Sequence, residues 1–207
     1  MKKVILSFWR IYISALGAGS VNANREVKKV RVGLLRHFKV KLGYPNKLVT
    51  TNELIQWQMD YDVSELVECE IDLYGLEWKR CFSSDLARAT QTADKVFIGE
   101  IIFLKELREM SIYPVLGSDI KLPLWLHLFV IRIAWFLGFE SQKESKKQVI
   151  QRINRALDQA LQQGEDVLIV GHGGIMMFMR KELLRRGFTG PKFNRPENAR
   201  LYVFEKH

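Results

Sequence analysis

Two of the four histidines come directly after apolar runs that predict buried strands. His37 follows residues 30–35 and is preceded by Arg36, whereas His172 follows residues 167–170 and is flanked by glycines. In open α/β sheets, ligands bind at the carboxyl edge of the strands. Two histidines that share this placement are therefore candidates for nucleophilic or acid–base chemistry on a bound ligand.

The other histidines and the cysteines lack such a setting. We expect His127 to pack or to cap a helix, and His207 to be solvated at the end of the chain. Cys69 and Cys81 do not have the C-x-x-C spacing of a zinc or redox site, and we interpret them as ordinary residues. The sequence therefore implies no metal ion and no bound cofactor.

Strands and helices alternate along the chain at a spacing typical of α/β domains. Further strands are predicted at residues 78–82, 101–104 and 201–204. Helices are predicted from a Ser84 cap to Gly99, over residues 145–163, and after Gly174 with Ile175, Met176, Met179 and Leu183 inward. The pattern predicts a three-layer α/β/α sandwich with a largely parallel central sheet.

Four short motifs carry a resemblance to a known family. They are Leu-Leu-Arg-His at residues 34–37, Ser-Ser-Asp-Leu-Ala-Arg-Ala-Thr-Gln-Thr at 83–92, Leu-Arg-Glu-Met at 107–110 and Val-Gly-His-Gly-Gly at 170–174. In their order and rough spacing, the sequence resembles the histidine phosphatase superfamily, phosphoglycerate mutase-like branch. The resemblance implies a phosphoglycerate mutase-like fold for residues 30–207, with residues 1–29 as an N-terminal extension.

Phosphoryl transfer to a side chain requires a nucleophile, positive groups around the non-bridging oxygens and an acid for the leaving alcohol. His37 is the proposed nucleophile, which would form a phosphohistidine that water hydrolyses. Arg36 and Arg88 would keep the ring neutral and grip the phosphate oxygens. His172, if protonated, would donate to the charge that develops in the transition state.

The resemblance implies that Glu109 protonates the leaving oxygen and later activates water. Glu106 is a nearby competitor for this role. We also expect Gly173 beside the substrate, together with Arg36, Arg88 and His172. Ser84 is expected to act first as a helix cap.

The sequence departs from the family pattern at several positions. Phe38 stands where the family usually has glycine, and we expect its bulk to narrow or reshape the entrance to the site. Gly43 occupies the place of a family asparagine, for which Lys39, Lys41 or Asn46 could substitute. The glycine and aromatic pattern that often follows the acid is missing.

These residues favour the hypothesis that the protein is a metal-independent phosphatase, which hydrolyses a small phosphorylated substrate through a phosphohistidine. One alternative is a cofactor-dependent mutase of the phosphoglycerate mutase type. A second alternative is a phosphate-binding regulatory module without turnover, which the altered Phe38 and acid positions suggest.

Residues 122–139 form the most apolar segment of the chain, and their 18-residue length meets the lower limit for a membrane span. Arg132 near the middle disfavours a span, so we expect a helix that covers the sheet or lines a pocket. Trp125, Trp135 and Phe136 could form an apolar wall for a large leaving group. Packing in the core is favoured for at least two of the three.

The 207 residues carry a net charge of +9 and 47% hydrophobic residues, which fits one globular domain. Residues 1–41 hold ten basic side chains against Glu26 alone, but apolar residues are interleaved with them. We therefore expect no nucleic-acid partner and favour a small anionic substrate over membrane contact. Residues 1–23 resemble a signal peptide that Arg10 interrupts, so a cytoplasmic location is predicted, with export as the alternative.

Overall fold

Five strands form the central sheet of the computed structural model, which describes residues 29–111 and 113–207. In order across the sheet they are β6 (Ile101–Leu104), β5 (Arg80–Ser84), β8 (Val167–Gly171), β1 (Val30–Arg36) and β9 (Leu201–Lys206). Strands β6, β5, β8 and β1 are mutually parallel, and β9 pairs antiparallel with β1. The predicted, largely parallel sheet is confirmed.

Five helices and two small antiparallel ribbons complete the described structure. The helices are α1 (Thr51–Val63), α2 (Ala87–Val96), α3 (Leu124–Leu137), α4 (Lys146–Leu161) and α5 (Gly173–Arg185). The ribbons pair β2 (Lys39–Val40) with β4 (Leu66–Val67), and β3 (Leu48–Val49) with β7 (Leu122–Pro123). A single 3-10 turn, Lys105–Leu107, follows β6.

Helices cover both faces of the sheet. Since alternate side chains of each strand point to opposite faces, one strand contributes to the cores on both sides. Val32 of β1 packs in a core cluster with Ile153 of α4 and Ile175 of α5. Leu35 of the same strand packs in a second cluster with Ala89 of α2. The predicted three-layer sandwich is therefore confirmed.

Helices α4 and α5 follow their sequence patterns closely. Ser145 and Gln148 form a capping box, in which the Ser145 hydroxyl accepts the Gln148 amide and the Gln148 side chain accepts the Ser145 amide. Gly164, with a φ of 59°, follows the end of α4. The four residues predicted to face inward from α5 are all buried.

The prediction for β5 and α2 was wrong in its boundaries. Strand β5 begins two residues later than predicted and continues through Ser84, so that Ser84 belongs to the strand. The N-cap of α2 is Leu86, whose side chain makes no capping bond, and the Ser84 hydroxyl accepts the Leu86 amide at 3.3 Å. Ser84 is therefore not the N-cap.

Helix α1 was missed by the sequence analysis. It is only weakly amphipathic, since Thr51 and Leu54 are its only buried residues. The signal that could have found it is the capping box between Thr50 and Glu53, in which each side chain accepts the other residue's amide.

Helix α3 lies within the predicted apolar segment and ends at Gly138, which has a φ of 73°. Trp135 is buried, but Trp125 and Phe136 are 67% and 60% exposed. The expectation that at least two of these three aromatic side chains pack in the core was therefore wrong. Among the described residues, no helix is long and apolar enough to cross a membrane. The signal-like segment at residues 1–23 lies outside the described residues.

Candidate active site

The carboxyl ends of adjacent parallel strands bring the sequence motifs together. Strands β1 and β8 pair with Arg36 opposite Gly171, and the His37 amide donates to the Gly171 carbonyl at 3.0 Å. His37 and His172 therefore leave the sheet side by side, with ring centroids 5.2 Å apart. Strand β5 lies on the other side of β8 and brings Ser84 to the same edge.

The His37 ring is buried and holds a defined tautomer. Its Nδ1 lies 2.6 Å from the Phe38 carbonyl oxygen, and a carbonyl only accepts, so Nδ1 carries the proton. Burial, followed by the charges of Arg88 and Arg36, lowers the pKa of His37 to about 3, despite the opposing effect of the Phe38 hydrogen bond. At neutral pH, Nε2 therefore holds a free lone pair.

His172 is also buried, and its Nε2 lies 2.8 Å from the Ser84 hydroxyl. Within the described structure, the other contact of that hydroxyl is the donating Leu86 amide, so His172 Nε2 is the acceptor that the hydroxyl proton reaches, which places the ring proton on Nδ1. Burial, followed by the Arg88 charge, lowers the pKa of His172 well below its ordinary value. In the free site, His172 is therefore a donor as a neutral ring, and it does not require the protonated form expected from the sequence.

The guanidinium groups of Arg36 and Arg88 each donate one hydrogen bond to the protein, through one terminal nitrogen. Arg88 is 8% exposed and donates to Asp62 Oδ1 at 2.6 Å, whereas Arg36 donates to the Pro196 carbonyl at 2.8 Å. Their Nε atoms, like His172 Nδ1, are buried and have no hydrogen-bond partner within the described structure. A buried donor without a partner costs about 1–3 kcal/mol, so three of them on residues of one cavity favour an anionic ligand.

Glu109 lies against the start of α5. Its Oε2 accepts the Gly174 amide at 2.8 Å, and its Oε1 accepts the Met110 amide at 3.0 Å. A Cβ at Gly174 would lie 2.5 Å from Glu109 Oε1, so glycine leaves the space that the carboxylate occupies. Glu106 does not line the cavity, and its carboxylate lies 3.9 Å from Arg155.

A buried arginine of α4 supports the segment that carries Glu109. Arg152 donates to the carbonyl oxygens of Glu106 and Arg108, the latter at 2.7 Å. Glu144 accepts from Arg152 through both carboxylate oxygens. The connection between β6 and Glu109 is therefore attached to the helical layer as well as to the sheet.

One cavity of about 750 Å³ is lined by His37, His172, Arg36, Arg88 and Glu109. Leu128, Ile131 and Trp135 of α3 contribute an apolar wall, and Gly173 also lines the cavity. Seven basic side chains against three acidic ones give the cavity an excess of positive charge; the basic ones are Arg36, Arg88, Lys105, Arg108, Arg132, Arg152 and Arg195. The cavity is therefore suited to an anionic ligand with an apolar part.

Phe38 does not narrow this cavity, so that expectation was wrong. Its side chain is 2% exposed and lines a separate surface depression with Lys95 and Val96. The backbone turns the side chain away while its amide donates to the Thr92 hydroxyl at 3.0 Å. Of the proposed asparagine substitutes, Lys39, Lys41 and Asn46, none lines the cavity, whereas Asn194 and Arg195 do.

Sequence reasoning missed several polar residues that hold the site, such as Arg152. The Asp62 carboxylate of α1 accepts a hydrogen bond from Arg88, and the side-chain amide of Asn198 donates to the His37 carbonyl at 2.9 Å. A buried Arg88 requires an acidic partner, but that requirement alone selects none of the many carboxylates in the chain. Among residues 29–111 and 113–207, no three His, Cys, Asp or Glu side chains form a cluster that could hold a metal ion.

Comparisons with solved structures show the same fold. A phosphoglycerate mutase from Bacillus anthracis is 20% identical, with 86% of this chain and 88% of that chain covered and a TM-score of 0.56. A candidate alpha-ribazole-5′-P phosphatase from Escherichia coli K-12 is 17% identical, with coverages of 85% and 90% and a TM-score of 0.53. A mycobacterial glucosyl-3-phosphoglycerate phosphatase is 18% identical, with coverages of 86% and 91% and a TM-score of 0.52.

A comparison with curated protein sequences gave no match. The family model for the histidine phosphatase superfamily, branch 1, matches residues 65–207, which is more than half of the chain. That range includes Arg88, Glu109 and His172, while the paired strands β1 and β8 place His37 beside them. The chain therefore belongs to the histidine phosphatase superfamily, branch 1.

Proposed function

We propose that this protein is a metal-independent phosphatase that hydrolyses phosphomonoesters through a phosphohistidine at His37 Nε2. The observation that carries the proposal is a neutral, buried imidazole in the same cavity as three buried N–H donors without partners. The ring supplies a lone pair, and the Nε atoms of Arg36 and Arg88 with Nδ1 of His172 supply the donors for phosphate oxygens.

In the first step, the lone pair of His37 Nε2 forms a bond to phosphorus while the bond from phosphorus to the ester oxygen breaks. Glu109, in its protonated form, gives its proton to that oxygen, and an alcohol leaves. The His37 ring becomes a phosphorylated imidazolium, which the Phe38 carbonyl stabilises by accepting from Nδ1. Arg36, Arg88 and His172 hold the three non-bridging oxygens.

In the second step, the Glu109 carboxylate accepts a proton from water as the water oxygen forms a bond to phosphorus. The phosphorus–nitrogen bond breaks, and its electron pair returns to His37 Nε2. Inorganic phosphate leaves, and both His37 and Glu109 regain their starting protonation states. No metal ion enters either step.

The test is hydrolysis of p-nitrophenyl phosphate by the wild type and by His37→Ala, with EDTA present. We expect the wild type to remain active in EDTA and the variant to lose at least about 10³-fold in kcat, because the nucleophile is gone. Circular dichroism of both proteins shows whether the variant remains folded. Loss of wild-type activity in EDTA, or full activity in the variant, contradicts the proposal.

A labelled phosphomonoester distinguishes the two alternatives that the sequence left open. The proposed phosphatase releases the label as inorganic phosphate after passing through an acid-labile protein adduct. Transfer of the label to a second hydroxyl group would instead indicate a mutase. Vanadate binding without turnover of any ester would indicate a phosphate-binding module.

A further inference from the structure

Helix α3 is apolar on the side that faces solvent as well as on the side that faces the protein. We define its outer face by five side chains that are 43–68% exposed: Trp125, Phe129, Ile133, Phe136 and Leu137. Their spacing of three to four residues places them on one side of the helix. Arg132 is the only Lys, Arg, Asp or Glu residue in α3.

None of the five side chains of the outer face belongs to a hydrophobic core cluster of the described structure. Leu124, Ile131 and Trp135, on the opposite side of α3, are buried, and Ile131 and Trp135 also line the active-site cavity. A helix that is apolar all round is typical of a buried core or of a lipid environment. Exposed apolar patches of this kind mark surfaces that bind a partner or a membrane.

Lysines flank the outer face in the sequence. Residues 121–147 contain four of them, Lys121, Lys143, Lys146 and Lys147, against two acidic residues, Glu140 and Glu144. The remaining basic residue of this stretch, Arg132, lines the active-site cavity. The Glu144 carboxylate is bonded to Arg152, and Lys146 Nζ lies 5.6 Å from the centre of the Phe136 ring. The surface is thus apolar at its centre, and the segments that flank it in the sequence, which we call its rim, carry a net positive charge.

We propose that the outer face of α3 docks the protein on an anionic lipid bilayer. Its 14 residues are fewer than the roughly 20 needed to span the hydrocarbon core, so the helix lies in the plane of the interface. The aromatic and aliphatic side chains enter the boundary between headgroups and acyl chains, and the flanking lysines contact anionic headgroups. The charge of the rim selects an anionic bilayer over a zwitterionic one.

The test is co-sedimentation of the full chain with vesicles of phosphatidylcholine, either alone or mixed with phosphatidylglycerol. We expect the wild type to bind the mixed vesicles, with binding that weakens as salt is raised, because the headgroup contacts are screened. Phe129→Ser combined with Phe136→Ser should lower the partition coefficient at least about tenfold, since two aromatic rings no longer leave water.

The matched control is Ile98→Ser, which removes a fully exposed apolar side chain between α2 and β6. It should bind vesicles as the wild type does. All three proteins keep residues 1–28, so any contribution of that segment to binding is the same in each. Neither Phe129 nor Phe136 lines the active-site cavity, so the double variant should hydrolyse p-nitrophenyl phosphate at the wild-type rate.

Three outcomes would overturn the proposal. The wild type could fail to bind mixed vesicles, or the double variant could bind them as tightly as the wild type does. Alternatively, light scattering could show a wild-type dimer that the double variant converts to a monomer, without any vesicle binding. That last result would assign the outer face of α3 to a second copy of the chain.

Discussion

Both backbone polar groups of Phe38 are hydrogen-bonded, and this fixes the direction of the His37 ring. The Phe38 carbonyl accepts from His37 Nδ1 and also from the Asn198 amide at 3.3 Å. The Phe38 amide donates to the Thr92 hydroxyl, which in turn donates to the Arg88 carbonyl at 2.7 Å. Phe38 therefore serves the site through its backbone, and its buried side chain anchors that backbone from behind.

The position of the Arg88 guanidinium is fixed by its hydrogen bond to the Asp62 carboxylate. We expect Asp62→Ala to lower kcat/KM for phosphomonoesters about 10- to 100-fold, because an Arg88 without its 2.6 Å partner no longer holds its position at the phosphate. Steady-state kinetics measure the change. Asp60→Ala, at an exposed position of the same helix, is the control and should behave as the wild type. Equal loss in both variants would contradict a specific role for Asp62.

Glu109 and Glu106 can be distinguished by leaving-group dependence. We expect Glu109→Gln to reduce kcat on alkyl phosphates by about 10²- to 10³-fold and to have a much smaller effect on aryl phosphates, which need little protonation of the leaving oxygen. The measurement is kcat on a matched pair of esters. Glu106→Gln should remain active on both, since Glu106 does not line the cavity. The reverse pattern would make Glu106 the acid.

At the scale of elements, the start of α5 organises one side of the site. Its N-cap is His172, its first residue Gly173 lies against Arg36, and the amide of Gly174 donates to Glu109. A Cβ at Gly173 would lie 3.4 Å from the Arg36 guanidinium. That distance is an ordinary van der Waals contact, so it is Gly174 whose lack of a side chain allows the helix terminus to approach the carboxylate. The positive end of the helix dipole faces this carboxylate.

Gly174→Ala tests this arrangement. The new methyl group would displace Glu109 and Met110, whose side-chain atoms lie 2.5 Å and 2.6 Å from the Cβ position. Both are ends of flexible side chains, so we expect the activity on alkyl phosphates to fall about tenfold while stability changes by less than about 1 kcal/mol. Kinetics and urea denaturation measure the two effects. Gly43→Ala, with nothing within 4 Å of its Cβ position, is the matched control.

In the whole molecule, the packing of helices against the sheet buries the two imidazole rings of the site, and this burial sets their protonation state. His37 and His172 are 2% and 1% exposed, and both have pKa values below the ordinary histidine value of 6.5. Burial is the largest cause for each, followed by the charge of Arg88. The arginines that give the cavity its positive charge therefore add to the effect of burial, and both disfavour protonation of the two rings.

The lowered pKa of His37 makes stability depend on pH. The unfolded chain binds a proton at this ring below about pH 6.5, whereas the folded chain binds it only near pH 3, so stability falls as pH decreases between these values. Each pH unit in this window contributes at most about 1.4 kcal/mol from His37. Urea midpoints from pH 7.5 to 4 should therefore fall less steeply for His37→Asn than for the wild type. Parallel curves would contradict the lowered pKa.

The elements with strong periodicity or long apolar runs were predictable from the sequence. Strand β6 has the predicted boundaries, and the inward face of α5 is the predicted one. The apolar residues of α5 recur at helical spacing, and β6 is a short apolar run bounded by Glu100 and Lys105, so each pattern indicates its element. Helix α1 and the start of β5 were not predicted, because α1 buries few residues and β5 continues into the polar Ser83 and Ser84.

The α/β class, the family motifs and the placement of His37 and His172 at strand ends could be predicted from the amino-acid sequence. The partners of those motifs could not, and they follow from the three-dimensional packing. Asp62 reaches Arg88 from α1, and Asn198 reaches the His37 carbonyl from the segment before β9. The direction of the buried Phe38 side chain, away from the active-site cavity, and the exposed face of α3 also depend on the three-dimensional packing. The physical reason is that motifs and apolar periods are local in sequence, whereas these contacts join residues 26 to 161 positions apart or depend on which side of an element another layer covers.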